Sequence, residues 1–456
     1  MIQNLSDLIQ EGRFKGKANF IFTPEISSSL GSMFGTTFNQ GESIVMGRDY
    51  HNDSRMLKRA FTAGVMSTGV NLLNLSDCTF PMLQFTIRRF GASGGVFISG
   101  GHTSEGIYIR FVDAGGLELG KEEIQLILKI QTEGIRRVDP NEIGQINAIP
   151  QTLDVYTKSL EQFVNRKKIE KANLKIVVDC SYSPTGKITP ILFNDLGVET
   201  IALNTHYRQR SGIPIPNINT IRNVADIVKA SNSHLGVCFD IDGSRILVID
   251  ENGLEISFED LLMLFVSCDE RIQKSKPGCI ITTPSLSPVV KNFIEEIGFT
   301  IKQVINDPGV ISRQIREERA CFAAADTLKY YFPQLAPISD GNFILLKILE
   351  IMSLQEDLIS SLMRSFPKGK KINKSITISK DAIDNIHDII RKIILENGYK
   401  YHDILNEVKV ISDDKTNVTI KVALNRNILL LSGESEDMNK AKQMLSHLEK
   451  LISEIP

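Results

Sequence analysis

The sequence predicts an α/β protein: three related mixed α/β domains in series, followed by a smaller C-terminal α+β domain. Three observations lead there. Strand-like apolar runs alternate with amphipathic helical stretches through most of the chain, the pattern of parallel or mixed α/β layers. A cycle of strand, turn, helix and strand starts three times, near residues 42, 174 and 278. After Pro367 the order of elements changes. At 456 residues the chain is several times the usual domain length, so four domains are expected, at 1–150, 151–253, 254–366 and 367–456.

The first cycle opens with ESIVMGRDY (42 to 50), strand then loop. SRMLKRAFTAGVMSTGV (54 to 70) has helical spacing, and NLLNLS (71 to 76) reads as a strand. PMLQFTIRRFGA (81 to 92) is a helix closed by Gly91, and GGVFIS (94 to 99) a buried strand entering a Gly-rich turn. The second cycle is LKIVVDCSYSPTGKITPILFNDLGVETIALN (174 to 204) and the third GCIITTPSLSPVVKNFIEEIGFTIKQVIN (278 to 306). In the last segment KGKKINK (368 to 374) reads as a solvated linker. KSITISKDAIDNIHDIIRKIILENG and TNVTIKVALNRNILLLSGESEDMNKAKQMLSHLEKLI then give a strand, a helix, a two-stranded hairpin and a helix.

Composition narrows the class. Hydrophobic residues at 42% and charged residues at 23% fit a folded globular chain rather than a disordered one. Lys+Arg 52 against Asp+Glu 54 leaves a net charge of -2, so no long basic footprint for nucleic acid or an anionic membrane is expected. Cys78, Cys180, Cys238, Cys268, Cys279 and Cys321 are scattered, without a CxxC pair or a zinc-spaced His, and read as free thiols in a reducing compartment. No apolar run approaches the roughly twenty residues of a membrane span, and MIQNLSDLIQEGRFKGK lacks the apolar core of a signal peptide. A soluble cytoplasmic protein is the expectation.

Five stretches carry a resemblance: FTPEISSSLGSMFG (22 to 35), MGRDYHNDSRMLKRAFTAGVMSTGVNLLNLS (46 to 76), RRFGASGGVFISGGH (88 to 102), DCSYSPTGKITPILFNDLGVETIALN (179 to 204) and LGVCFDIDGSRILVIDENG (235 to 253). Together they resemble the α-D-phosphohexomutases, the group of phosphoglucomutase, phosphomannomutase and phosphoglucosamine mutase, over nearly the whole chain. The resemblance implies four domains around a deep central cleft, each giving one loop. It also implies phosphoryl transfer between sugar C1 and C6 through a phosphoserine, with Mg2+ held by three aspartates.

Each of those four loops departs from the family pattern. Where the family reads like TASHNP, this chain has Ser99-Gly100-Gly101-His102-Thr103-Ser104, so Gly101 stands in the place of the phosphorylated serine. In-line transfer tolerates little misplacement of the acceptor, and Ser99 and Ser104 sit two and three residues away. The glycines either cradle an anion with backbone N–H groups or form a tight turn. The metal loop, DGDGDR in the family, is Asp240-Ile241-Asp242-Gly243-Ser244-Arg245 here, with Ser244 in the third ligand place. Two carboxylates plus waters and a substrate phosphate can hold Mg2+ weakly. The other reading is a structural Asp-turn in which Arg245 pairs Asp240 or Asp242.

The family's sugar loop, GGExSGH, becomes Ala325, Thr327 and Lys329 in the Glu, Ser and His places. Lys329 either meets an anion or snorkels at the surface beside the tyrosines that follow it. The phosphate loop RPSGTEPxxR is replaced by Asn425-Arg426-Asn427, a hairpin-length link that leaves Arg426 for a single contact. Ser432-Gly433-Glu434 reads as the N-cap of the final helix. The N-terminal FGTxGxRG is replaced by EGRFKGKANF, with Lys15 near the Arg place and Gly16 retained; Arg48 is kept and His51 replaces a second basic residue. Lys15, Arg48 and His102 either form an electropositive spot, or Arg48 ties its loop to neighbours.

The framework matches and the departures gather in the loops that do chemistry. The reading that follows is a phosphohexomutase-like protein without efficient mutase activity. It would act by binding a phosphorylated small molecule or a protein, itself or an active mutase relative. The alternative is an active intramolecular phosphotransferase using Ser99 or Ser104 with an atypical Mg2+ site.

Overall fold

The structure, a computed structural model, describes residues 9–10, 13–100, 106–207, 218–284, 286–367, 371–377, 386–404, 407–413, 416–423, 428–435 and 437–453. Its strands form four sheets. The first holds β1 (Ile9–Gln10), β2 (Arg13–Gly16), β3 (Ser43–Arg48), β4 (Asn71–Asp77), β5 (Gly94–Gly100), β6 (Ile107–Asp113) and β7 (Ile146–Ala148), in the order β1-β2-β6-β5-β3-β4-β7. The second holds β8 (Lys175–Asp179), β9 (Glu199–Leu203), β10 (Leu235–Phe239) and β11 (Ile246–Asp250), ordered β11-β10-β8-β9. The third holds β12 (Cys279–Thr282), β13 (Thr300–Gln303), β14 (Phe322–Ala325) and β15 (Lys329–Tyr331), ordered β13-β12-β14-β15.

These three sheets share one device. Each has a parallel run flanked by an antiparallel hairpin, β5 with β6, β10 with β11, and β14 with β15, and in the first sheet β2 and β1 add beyond β6. The turns of those hairpins are the stretches that the sequence marks as nucleophile, metal and sugar loops. Residues 101–105, in the first turn, lie outside the described residues.

The fourth sheet is antiparallel throughout and corrects the expected hairpin. It contains β16 (Lys371–Thr377), β17 (Lys400–Ile404), β18 (Glu407–Asp413), β19 (Thr416–Ala423) and β20 (Ile428–Ser435), in the order β16-β20-β19-β18-β17. The run KGKKINK is therefore not a linker from Lys371 onward, because that backbone pairs with β20. Ser432-Gly433-Glu434 lies within β20 and caps no helix. β19 and β20 pair up to Ala423 and Ile428, and Arg426 lies outside the described residues.

Local signals set the helices that flank the site. Thr79 accepts from Met82 N at the start of Phe80–Phe90, and Gly91 ends that helix at φ 64°, where any Cβ is strained. Helices Pro24–Thr36 and Asn52–Met66 cross closely, since a Cβ at Gly31 or Gly64 would strike the facing backbone. One apolar cluster runs through the first three sheets' layers, from Val45 and Phe80 through Phe239 to Phe265 and Phe343. The last module packs its own core of Val410, Ile420, Leu431 and Leu445. No helix among the described residues is long and apolar enough to cross a membrane, and their six cysteines are free.

Asp340 joins distant elements. It caps helix Gly341–Gln355 by accepting from Asn342 N and Phe343 N at 3.0 and 3.2 Å, and Tyr156 donates to its other oxygen at 2.6 Å. Burial pushes this carboxyl up to about 6. The ordinary value is about 4, so the folded chain holds the proton more tightly than the unfolded chain. That stabilisation is whole below about pH 4 and is lost as pH rises through about 6. Asp340→Asn keeps the cap and can donate to the Tyr156 oxygen, but does not titrate. Its stability relative to the parent should rise between about pH 4.5 and about pH 7.5, by about 3 kcal/mol at most. A difference that stays flat in denaturation midpoints over that range contradicts this.

Candidate functional site

The β10–β11 turn is where the first three sheets meet. Phe80 N donates to Asp242 O at 2.9 Å from the first, and Gly341 N to Gly243 O at 2.9 Å from the third. Ser339 Oγ donates to Ser244 O at 2.7 Å. Gly243 makes the turn possible: it sits at φ 74°, with Thr79 and Thr185 closing off the space of a Cβ.

Within the turn the two aspartates are buried and their oxygens are engaged. Asp240 Oδ1 accepts from Ser244 N at 2.9 Å and Arg245 N at 3.2 Å. Its Oδ2 accepts from Ser244 Oγ at 3.2 Å and lies 2.8 Å from Arg245 Nε. Asp242 Oδ1 accepts from Ser244 N at 3.0 Å, and its Oδ2 pairs with Arg110 at 2.7 Å. Burial, together with the Asp242 charge, pushes the Asp240 carboxyl up to about 7. The structure thus makes the Asp-turn with an Arg245–Asp240 pair.

Arg110 is the residue that the loop motifs did not mark. It points inward from β6, is 3% exposed, and lies flat on Phe80 with its guanidinium carbon 3.9 Å from the ring centre. Its other side faces Glu118, at 3.9 Å. Glu118 is also gripped by Arg13 of β2, Nε to Oε2 at 2.9 Å and Nη2 to Oε1 at 3.1 Å. Burial works against the Glu118 charge, but Arg13 and Arg110 outweigh it and hold this carboxyl below the usual range. In the register that keeps Lys15 and Gly16 in their family places, Arg13 occupies the place of the motif's middle glycine. The signal in the sequence was a charged residue inside the apolar strand IYIRFVD.

Lys329 completes the cluster. It is 3% exposed, which overturns the snorkelling reading. Burial, with Arg245 adding to it, pushes its ammonium down to about 8, and it feels the charges of Asp242 and Glu118. Phe80, Glu118, Ser244, Lys329 and Tyr331 help to line a void of about 10 Å³, room for a single water by the usual threshold of about 10–15 Å³. Ala325 ends β14 buried and offers no side-chain acceptor, and Thr327 is half-buried in the turn beyond it.

The other candidates scatter. Ser99 is 2% exposed inside β5, its Oγ 3.5 Å from Arg110 Nη2. Lys15 lies on β2, with its ammonium 5.6 Å from the Tyr108 ring centre. Arg48 ends β3 and pairs with Asp77 at 2.5 Å. Three strand spacings separate β2 from β3, roughly 14 Å, so Lys15 and Arg48 do not form one electropositive spot. Arg48 instead ties its loop to a neighbour. His51 pairs with Asp49 at 2.8 Å, and the same carboxylate accepts from Gly100 N. His102 and Ser104 lie outside the described residues.

The residues present do not fit a magnesium ion. Both carboxylates of the turn already face a guanidinium and accept N–H donors, and the third ligand place is a neutral serine that itself donates to Asp240. Among the described residues no group of three His, Cys, Asp or Glu side chains is arranged to hold a metal.

Comparison with known proteins fits this geography. The family description "Phosphoglucomutase/phosphomannomutase, alpha/beta/alpha domain I" matches residues 9–137 and its domain II matches residues 154–253, together about half of the chain. The chain belongs to this family, the α-D-phosphohexomutases. It is 26% identical to a phosphoglucomutase/phosphomannomutase of Thermococcus kodakarensis, over 96% of this chain and 97% of that one. To a phosphoglucosamine mutase of Natranaerobius thermophilus it is 23% identical over the same shares. In fold it is similar to a phosphoglucomutase/phosphomannomutase family protein from Burkholderia thailandensis, TM-score 0.78 at 18% identity, covering 97% of each chain. The open form of parafusin from Paramecium gives a TM-score of 0.73 at 12% identity, covering 97% of this chain and 93% of that one.

Arg110→Met tests how far the cluster holds the first two sheets together. It keeps an apolar stem but strands Asp242, so stability should fall by about 3–5 kcal/mol, the usual cost of removing one partner of a buried pair. Adding Asp242→Asn should recover part of that loss in urea midpoints. No recovery would place the cost in lost packing on Phe80 instead.

Proposed function

We propose that this chain is a phosphohexomutase-fold protein that has lost efficient phosphosugar mutase activity and acts by binding a phosphorylated ligand or a protein partner. The observation that carries the reading is the pairing of Asp242 with Arg110 and of Asp240 with Arg245. Cations built into the chain occupy the carboxylates that the family uses for its metal. Phosphoryl transfer depends on positioning and on metal charge at the transferring group, and little else lowers its barrier. Three further losses support the same reading. Gly101 offers no acceptor oxygen, Ala325 offers no sugar acceptor, and the link 424–427 is too short for a phosphate clamp.

A second reading is favoured by the relatives themselves, whose names are those of mutases along almost the full length. It requires Ser104, or a Ser99 released from its strand, as nucleophile. The two readings separate in one assay. Purified chain given glucose 1-phosphate, glucose 1,6-bisphosphate and Mg2+ should form no glucose 6-phosphate above background, and mass spectrometry should find no phosphoserine in residues 99–104. Chelator-sensitive conversion with a modified serine there would replace the first reading by the second.

A further inference from the structure

Away from the central cluster, helix Asn52–Met66 and strands β3 and β4 line an open pocket of about 520 Å³, inside the roughly 300–1,000 Å³ range of small-molecule sites. It shares no lining residue with the central void. Its cations are Arg48, Arg55, Lys58 and Arg59. The last three stand at i, i+3 and i+4, on one face of the helix, where like charges repel.

Of the four, Arg48 is the one in direct contact with a carboxylate among the described residues, that of Asp77, whose charge also acts on Lys58. Among the described residues no carboxylate comes within 4.0 Å of the cationic nitrogens of Arg55, Lys58 or Arg59. Lys58 is the telling member. It is 8% exposed, and its ammonium donates to the neutral amide oxygen of Asn74 at 2.5 Å. Burial pushes it down to about 8. A solvated helix face would leave such a lysine in water; here it is drawn in against the pocket floor, with two exposed arginines at the rim. The pocket is also lined by the apolar side chains of Met66, Leu72 and Ile146, which suit the body of a ligand rather than its charge. The chain's net charge of -2 gives no long basic field, which argues for a small anion and against an extended polyanion.

We propose that this pocket binds a phosphomonoester of nucleotide or sugar-phosphate size, its phosphate held by Arg55, Lys58 and Arg59 and its body lying against Met66, Leu72 and Ile146. Guanidinium forks match phosphate oxygens in pairs, and the buried ammonium adds a point charge. The site stands whether or not the central turns retain activity, since none of its residues belongs to them.

Calorimetric titration of the full chain with adenosine 5′-monophosphate, glucose 6-phosphate and phosphate-free adenosine tests this. At least one phosphomonoester should bind, adenosine much more weakly, and binding should weaken with added salt. Arg55→Ala with Arg59→Ala removes two exposed side chains, so the melting midpoint should hold while affinity falls about a hundredfold, about tenfold per charge-assisted contact. The proposal is overturned if neither ester binds, if adenosine binds as well as its phosphate ester, or if the double variant binds as tightly as the parent. The last outcome would move the phosphate to another site. None of these outcomes bears on the mutase assay.

Discussion

The Arg110–Asp242 pair is the contact on which the arrangement of the first three units turns. A carboxylate buried to 1% exposure has to be compensated, because an isolated charge in a dry interior costs far more than any packing returns. In a metal-dependent mutase a divalent ion would supply that compensation. Here a guanidinium from β6 does so, flat on Phe80, with Glu118 and Arg13 behind it and Lys329 on the far side. Such a cluster adds little net stability compared with an apolar core, yet it is expensive to break piecemeal. It therefore acts as a register mark: the β10–β11 turn, the end of β6 and the start of β15 fit together in one way.

That turn also explains why its motif is still readable. Asp240 accepts from the backbone of Ser244 and Arg245 and so shapes the turn from inside. Gly243 is fixed by its positive φ and by Thr79. These roles need no metal. Two aspartates, a glycine and an arginine persist for the geometry of the turn, while Ser244 suffices as a donor in a place where charge is not required.

The fold was legible where periodicity was strong. Buried parallel strands such as GGVFIS and LKIVVD are continuous apolar runs, and the helices between them carry caps and apolar stripes. The last sheet was only half legible. KYHDI and EVKVISD alternate polar and apolar residues with charges interspersed, and lysine-rich β16 looks like a tether until its pairing with β20 is seen. The site divided in the same way. Asp240, Asp242 and Arg245 fall within six residues of one loop and could be read together. Arg13 and Glu118 stand 105 residues apart and meet only because β2 pairs with β6. Lys329 looked like a surface residue because the side chains that bury it come from two other sheets.

The placement of the loops accounts for a fold that outlasts its chemistry. In each of the first three units the site loop joins a parallel strand to its antiparallel partner, β5 to β6, β10 to β11 and β14 to β15. Most of the buried apolar side chains come from the strands and helices rather than from these turns, so likeness of fold carries no information about what the loops still do. The helix face bearing Arg55, Lys58 and Arg59 is different in kind. It belongs to an element that packs the core through Leu57, Phe61 and Val65, and among the described residues no carboxylate lies within 4.0 Å of its three cations. Charge that costs stability and serves no ion pair needs another cause, and a bound anion supplies one without calling on the central turns.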